Sequence, residues 1–176
     1  MLIRSWVILL LLILTSTLSF GQGDEVPQEY LVKAKYLLNI PLYTEMPSQA
    51  KNSTSFTICL IGDTPLENIL ISSQGKLIKN RPLAIRRVED LGQTDNCQML
   101  FIASSERHHL QTLLPEAHRR GILTISDMRD FARLGGMINL LTVNNKVTFD
   151  LNRVAASKAS ISFSTHLLKL ARDVIN

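Results

Sequence analysis

The sequence predicts an α/β domain: a mostly parallel sheet covered by helices on both faces, with an antiparallel hairpin at one edge. Three observations carry this reading. Short apolar runs rich in β-branched residues, such as FTICLIG (56–62), QMLFIAS (98–104) and ILTISD (122–127), alternate with stretches of helical spacing. Alternation of this kind favours parallel strands joined by crossover helices. Asn144-Asn145 lies between MINLLTV and KVTFDLN, and asparagine tolerates the left-handed backbone that a tight hairpin needs.

The elements follow in order. QEYLVKAKYLLNI places Tyr30, Leu31, Ala34, Leu37, Leu38 and Leu42 near one helical face, and Pro41 ends or kinks that helix because it lacks an N–H. EMPSQAKNSTS is a polar loop. FTICLIG is a buried strand by its length and composition. DTPLENILISSQG starts with a capping residue and closes at Gly75, as a helix does. RPLAIRRV is a strand nearer an edge, given its arginines and its early proline. After the third strand, SERHHLQTLLPEAHRRG reads as a helix with a serine cap, basic residues in its last turn and Gly121 beyond. ILTISD is a fourth strand, MRDFARLGG a short helical turn, and the hairpin follows. RVAASKASISFSTHLLKLARDVIN reads as a short helix and then an amphipathic one, with Leu167, Leu168, Ala171, Val174 and Ile175 on its apolar face.

Length and composition bound the function. A chain of 176 residues, 45% hydrophobic, suits one domain with an ordinary core. The net charge of +4 is mild, and Arg86-Arg87 and Arg119-Arg120 are isolated pairs, which argues against nucleic-acid binding. The N-terminus has a single charge at Arg4, an apolar core from Trp6 to Leu14, and small residues at Ser19 and Gly21. That is the layout of a cleavable secretory signal over residues 1–21, with 22–176 as one exported domain. A membrane anchor would need roughly 20 apolar residues, and Thr15, Ser16, Thr17 and Ser19 dilute the run first. The mature chain is expected not to span a membrane. In an oxidising compartment Cys59 and Cys97 can join; the alternative is two buried thiols.

Catalytic signatures do not assemble. Gly135-Gly136 follows a short helix and precedes a strand, the reverse of a phosphate loop, and no lysine accompanies it. His108, His109, His118 and His166 form no metal-binding spacing. Ser104 and Ser105 lack the glycines of a hydrolase elbow and read as a helix cap. Asp127 and Asp130 flank a turn as helix-start charge, and Asn152 reads as an N-cap. No cofactor is expected. Phe149, Leu151, Ile161 and Phe163 surround a strand end, where core residues or a docking patch can sit. The surface near Phe149, Asn152, Arg153 and Ile161 is the expected place of partner or ligand contact.

Read together, VKAKYLLNI, ICLIGDTPL, NCQMLFIASSE, ILTISDMRDFARLGGMINLL, KVTFDLN and HLLKLARDV resemble the YfiR-like family. These are bacterial periplasmic proteins named for the repressor of the membrane diguanylate cyclase YfiN. The likeness runs from about Tyr30 to Val174. It implies an exported α/β fold, a disulfide between Cys59 and Cys97, and no catalytic residues. A second cysteine pair found near the hairpin in some members is absent here, and Met46-Pro47 stands where members commonly have Trp-Pro. The resemblance implies a regulator that restrains an inner-membrane signalling enzyme, a diguanylate cyclase, with cyclic di-GMP as output. Family members are often dimers, so a homodimer is an expectation. The alternative is a small-ligand sensor module serving a membrane histidine kinase or an uptake system.

Overall fold

The computed structural model describes residues 27–47 and 53–176. The signal segment expected over residues 1–21 lies outside the described residues. Helix α1 (Gln28–Asn39) runs into a single 3-10 turn, Ile40–Tyr43, with Pro41 in its first positions. The proline therefore ends the α-helix, as its missing donor requires. The short strand β1 (Thr44–Glu45) follows, then β2 (Phe56–Ile61), α2 (Leu66–Ile71), β3 (Leu77–Ile78) and β4 (Arg81–Val88). Next come β5 (Met99–Ile102), α3 (Leu110–Arg119), β6 (Leu123–Ser126), β7 (Ile138–Val143) and β8 (Lys146–Asn152). The chain ends with α4 (Arg153–Lys158), β9 (Ser162–Phe163), α5 (Thr165–Leu170) and β10 (Asp173–Ile175).

Eight strands form one sheet in the order β10-β8-β7-β6-β5-β2-β4-β3. Strands β4, β2, β5, β6 and β7 are mutually parallel. The β7–β8 hairpin turns antiparallel at Asn144 and Asn145, whose φ angles are 50° and 60°. This is the left-handed pair that a two-residue hairpin demands. Strands β1 and β9 form a separate antiparallel pair. The two faces of the sheet carry separate cores. Phe56, Ile58, Leu60, Met99 and Phe101 point to the face covered by α1, α2, α4 and α5. Cys59, Ile61, Leu100 and Ile102 point to the face covered by α3 and the turn at Met128–Phe131. Cys59 and Cys97 are joined by a disulfide on that second face, with Cα atoms 5.9 Å apart.

Several expectations change in detail. The last amphipathic helix stops at Leu170, and Asp173–Ile175 instead form β10, which pairs in parallel with β8 and lies outside the hairpin. Val174 and Ile175 are apolar in both readings, but three residues beside an unfilled strand gain a ladder that a frayed helix end lacks. MRDFARLGG is a run of turns, not a helix. SERHHL begins as a 3-10 helix at Ser104–His109 and becomes α-helical only from Leu110, and no side chain caps its start. On α1 the buried residues are Lys33, Ala34 and Leu37, while Leu31 and Leu42 stay exposed. Gly135 has φ +101°, and a Cβ at Gly136 would overlap the Phe131 ring. Both glycines are thus explained by the turn and by close packing.

Candidate functional site

In doubly wound sheets, ligands favour the crevice at the carboxyl ends of strands where the order reverses. Here that place lies between the loops after β2 and β5. It is filled: Gly62, at φ +80°, packs beneath Ser105, Glu106 and Ala103. The Ser105 hydroxyl accepts a hydrogen bond from the Asp63 backbone N–H at 3.0 Å. Arg87 pairs with Asp63 and Glu67 beside it.

Several other polar groups are committed to partners. Lys33, with only 5% of its side chain exposed, pairs with Asp127 at 2.8 Å and with Glu29. Its ammonium also lies 4.7 Å from the Tyr30 ring centre. Burial opposes the charged form of Lys33, but its hydrogen bonds to Asp127 and Glu29 outweigh this and raise its pKa. Asp127 therefore anchors α1 to the β6–β7 connection. Asp130 holds a left-handed φ of 62° beside Arg129. Asp150 receives both arms of the Arg172 guanidinium. His109 pairs with Glu106, and His166 lies against Tyr43 with ring centres 5.2 Å apart. Among the described residues no group of three or more His, Cys, Asp or Glu could hold a metal. No described helix is long and apolar enough to cross a membrane.

The strand-end surface expected to make contact is built around α4. Asn152 ends β8 and caps α4: its Oδ1 accepts from the Ala155 N–H at 2.8 Å, and its Nδ2 donates to the Ala132 carbonyl at 2.8 Å. Both ends of the amide are used, so Asn152 is a fixed, buried hinge between strand and helix. Phe149 is 2% exposed and packs edge-on against Tyr36 at 5.6 Å. Ile161 is buried too, tied by its N–H to the Ala156 carbonyl at 2.9 Å. Of the four named positions, only Arg153 presents its side chain to solvent.

Ala155 and Ala156 pack inward, so α4 turns Arg153, Val154, Ser157 and Lys158 outward. A groove of about 630 Å³ lies against this outer face, lined by Arg153, Val154, Ser157, Lys158, Ile161 and Phe163 among others. The structure thus brings Arg153 and Ile161 to one groove; Phe149 is buried in the core and Asn152 lines a different groove, so neither lines this one. Sequence reasoning missed Val154, Ser157 and Lys158. The available signal was the Ala155-Ala156 pair, which marks the side of a short helix that can approach the sheet. Val154 is 45% exposed and adds apolar surface to the groove. No ion pair to an acid holds Arg153 or Lys158 among the described residues. Among the described residues the Arg153 guanidinium donates to the neutral Asn176 side chain at 2.8 Å.

The model of a family described as YfiR/HmsC-like matches residues 30–172. No curated protein matches the sequence. Among solved structures, a conserved domain protein from Vibrio cholerae O1 biovar El Tor str. N16961 is similar, with TM-score 0.57 and 11% identity. The alignment covers 84% of this chain and 60% of that one, so this chain spans 60% of that protein's length. At that identity the likeness concerns the fold alone.

Proposed function

The chain belongs to the YfiR/HmsC-like family, and from that premise we propose that it is a non-catalytic periplasmic regulator that binds and restrains an inner-membrane diguanylate cyclase. Regulation of this kind is differential binding: the regulator holds the inactive state of the enzyme because it fits that state better. The observation that carries the reading is the outer face of α4. It combines an exposed valine, a groove, and two cations with no acidic partner among the described residues. A partly apolar surface with unneutralised rim charge supports docking on a complementary protein. The filled crevice between the β2 and β5 loops supports the same reading, since the usual ligand site of such sheets is occupied by the chain's own residues.

The test uses the purified chain and the periplasmic part of the cyclase from the same host. Arg153→Glu combined with Ser157→Glu alters only exposed side chains and should leave folding intact. The account expects binding to weaken by at least about tenfold, because like charges are forced into the contact. Cells lacking the chain should show raised cyclic di-GMP, and the double variant should fail to restore the low level. Undiminished binding by the variant would remove this surface from the interface.

A further inference from the structure

The other flank of α4 carries a second groove, of about 560 Å³, between α4, α3 and the turn at Leu134-Gly135. Leu110 and Leu114 form its buried floor, and Leu134 and Val154 its walls. Leu134 is 46% exposed, so its apolar surface faces a space that no residue of the described chain fills. His118 and Arg119, in the last turn of α3, line the groove together with Lys158, whose charge acts on His118, while Gln111 lines it from the first turn of α3. Arg119 is bound by Glu116, with its Nε 2.8 Å from Oε2. Lys158 has no acidic partner among the described residues. His118 has its Nε2 buried without a hydrogen-bond partner. Its pKa is lowered, first by burial and then by the positive charge of Lys158.

From these features we infer that the α3–α4 groove is a binding site for a small amphipathic carboxylate, its apolar body against Leu110, Leu114, Leu134 and Val154 and its charge on Lys158. The volume falls within the usual range for small-ligand pockets, about 300–1,000 Å³. An open apolar groove with basic groups by the last turn of α3 favours molecules with an apolar body and an anionic head. The sign of the charge follows from Lys158: its ammonium lines the groove with no acidic partner among the described residues, so it attracts an anion and repels a cation. The site shares Val154 and Lys158 with the partner groove, but it is argued from the isolated chain and does not depend on the partner reading.

The probe is decanoate, with 1-decanol as the uncharged control, added to the purified chain and followed by calorimetry and amide NMR shifts. Decanoate should bind with shifts centred on Leu114, Leu134 and Val154. Lys158→Gln should weaken decanoate about tenfold, the worth of one charge-assisted hydrogen bond, and leave decanol unchanged. Leu134→Glu should abolish decanoate binding by placing an acid in the wall. Absence of decanoate binding, binding that ignores both substitutions, or equal loss of decanol and decanoate in Lys158→Gln would each overturn the assignment. The partner assay with Arg153→Glu and Ser157→Glu touches neither Leu134 nor Lys158, so the two claims fail separately.

Discussion

At the scale of single residues, buried groups around the site serve the fold, and exposed ones remain for contact. Phe149 packs against Tyr36 and is almost fully enclosed. Phe149→Ala should cost about 3–5 kcal/mol in urea unfolding by cavity formation. A loss below about 1 kcal/mol would place the ring elsewhere. Gly136 has no room for a side chain against Phe131. Gly136→Ala should therefore destabilise by about 1–3 kcal/mol through overpacking, whereas a nucleotide-binding role would predict lost affinity with the fold unchanged. His118 gives a pH signature. Its folded pKa lies below the unfolded value of about 6.5. The unfolded chain then takes up more protons below that pH, so this contribution is complete above about 6.5 and is lost as pH falls through the folded pKa. Lys158 is the charged group acting on it. Melting temperature between pH 7 and 5 should fall less in His118→Gln than in the parent chain, and identical slopes would contradict the assignment.

At the scale of elements, the sequence was most legible where periodicity and turn chemistry agreed. The strands β2, β4, β5 and β6, the hairpin at Asn144-Asn145, the end of α1 at Pro41 and the cap at Asn152 follow from local patterns. The C-terminus did not. Apolar residues at Val174 and Ile175 continue the helical spacing of Leu167 and Leu168, and only the open flank of β8 makes them a strand. Tertiary pairing decides such short segments, not propensity. The proposed contact surface was half legible for a similar reason. Patterning located the strand end near Phe149 and Asn152, but side-chain burial separates support from surface and depends on how α4 lies on the sheet. The disulfide acts at this scale as well, tying β2 to the segment before β5 across a sequence separation of 38 residues. Replacing both Cys59 and Cys97 by Ala should cost about 4 kcal/mol in the chain-entropy account. Unchanged unfolding would mean that the bond does not constrain the chain.

At the scale of the whole molecule, the fold divides its labour between two ends. Where the strand order reverses, the chain closes the crevice with Gly62, Asp63 and Ser105. At the far side, β8 delivers α4 to the surface on a fixed amide, and α4 separates two grooves. This leaves α4 as the element through which a partner and a small molecule can sense each other, because both grooves include Val154 and Lys158. Coupling between two such sites must be reciprocal. If both sites are filled as proposed, decanoate should change the affinity for the cyclase by the same factor as the cyclase changes affinity for decanoate. The central claim, restraint of a membrane cyclase through α4, is tested most directly by photocrosslinking in the native host from a benzophenone amino acid at position 157. The account predicts capture of a diguanylate cyclase with a periplasmic sensor region, lost when Arg153→Glu is added. Capture of a histidine kinase or a transporter instead, or of no membrane protein at all, would contradict it.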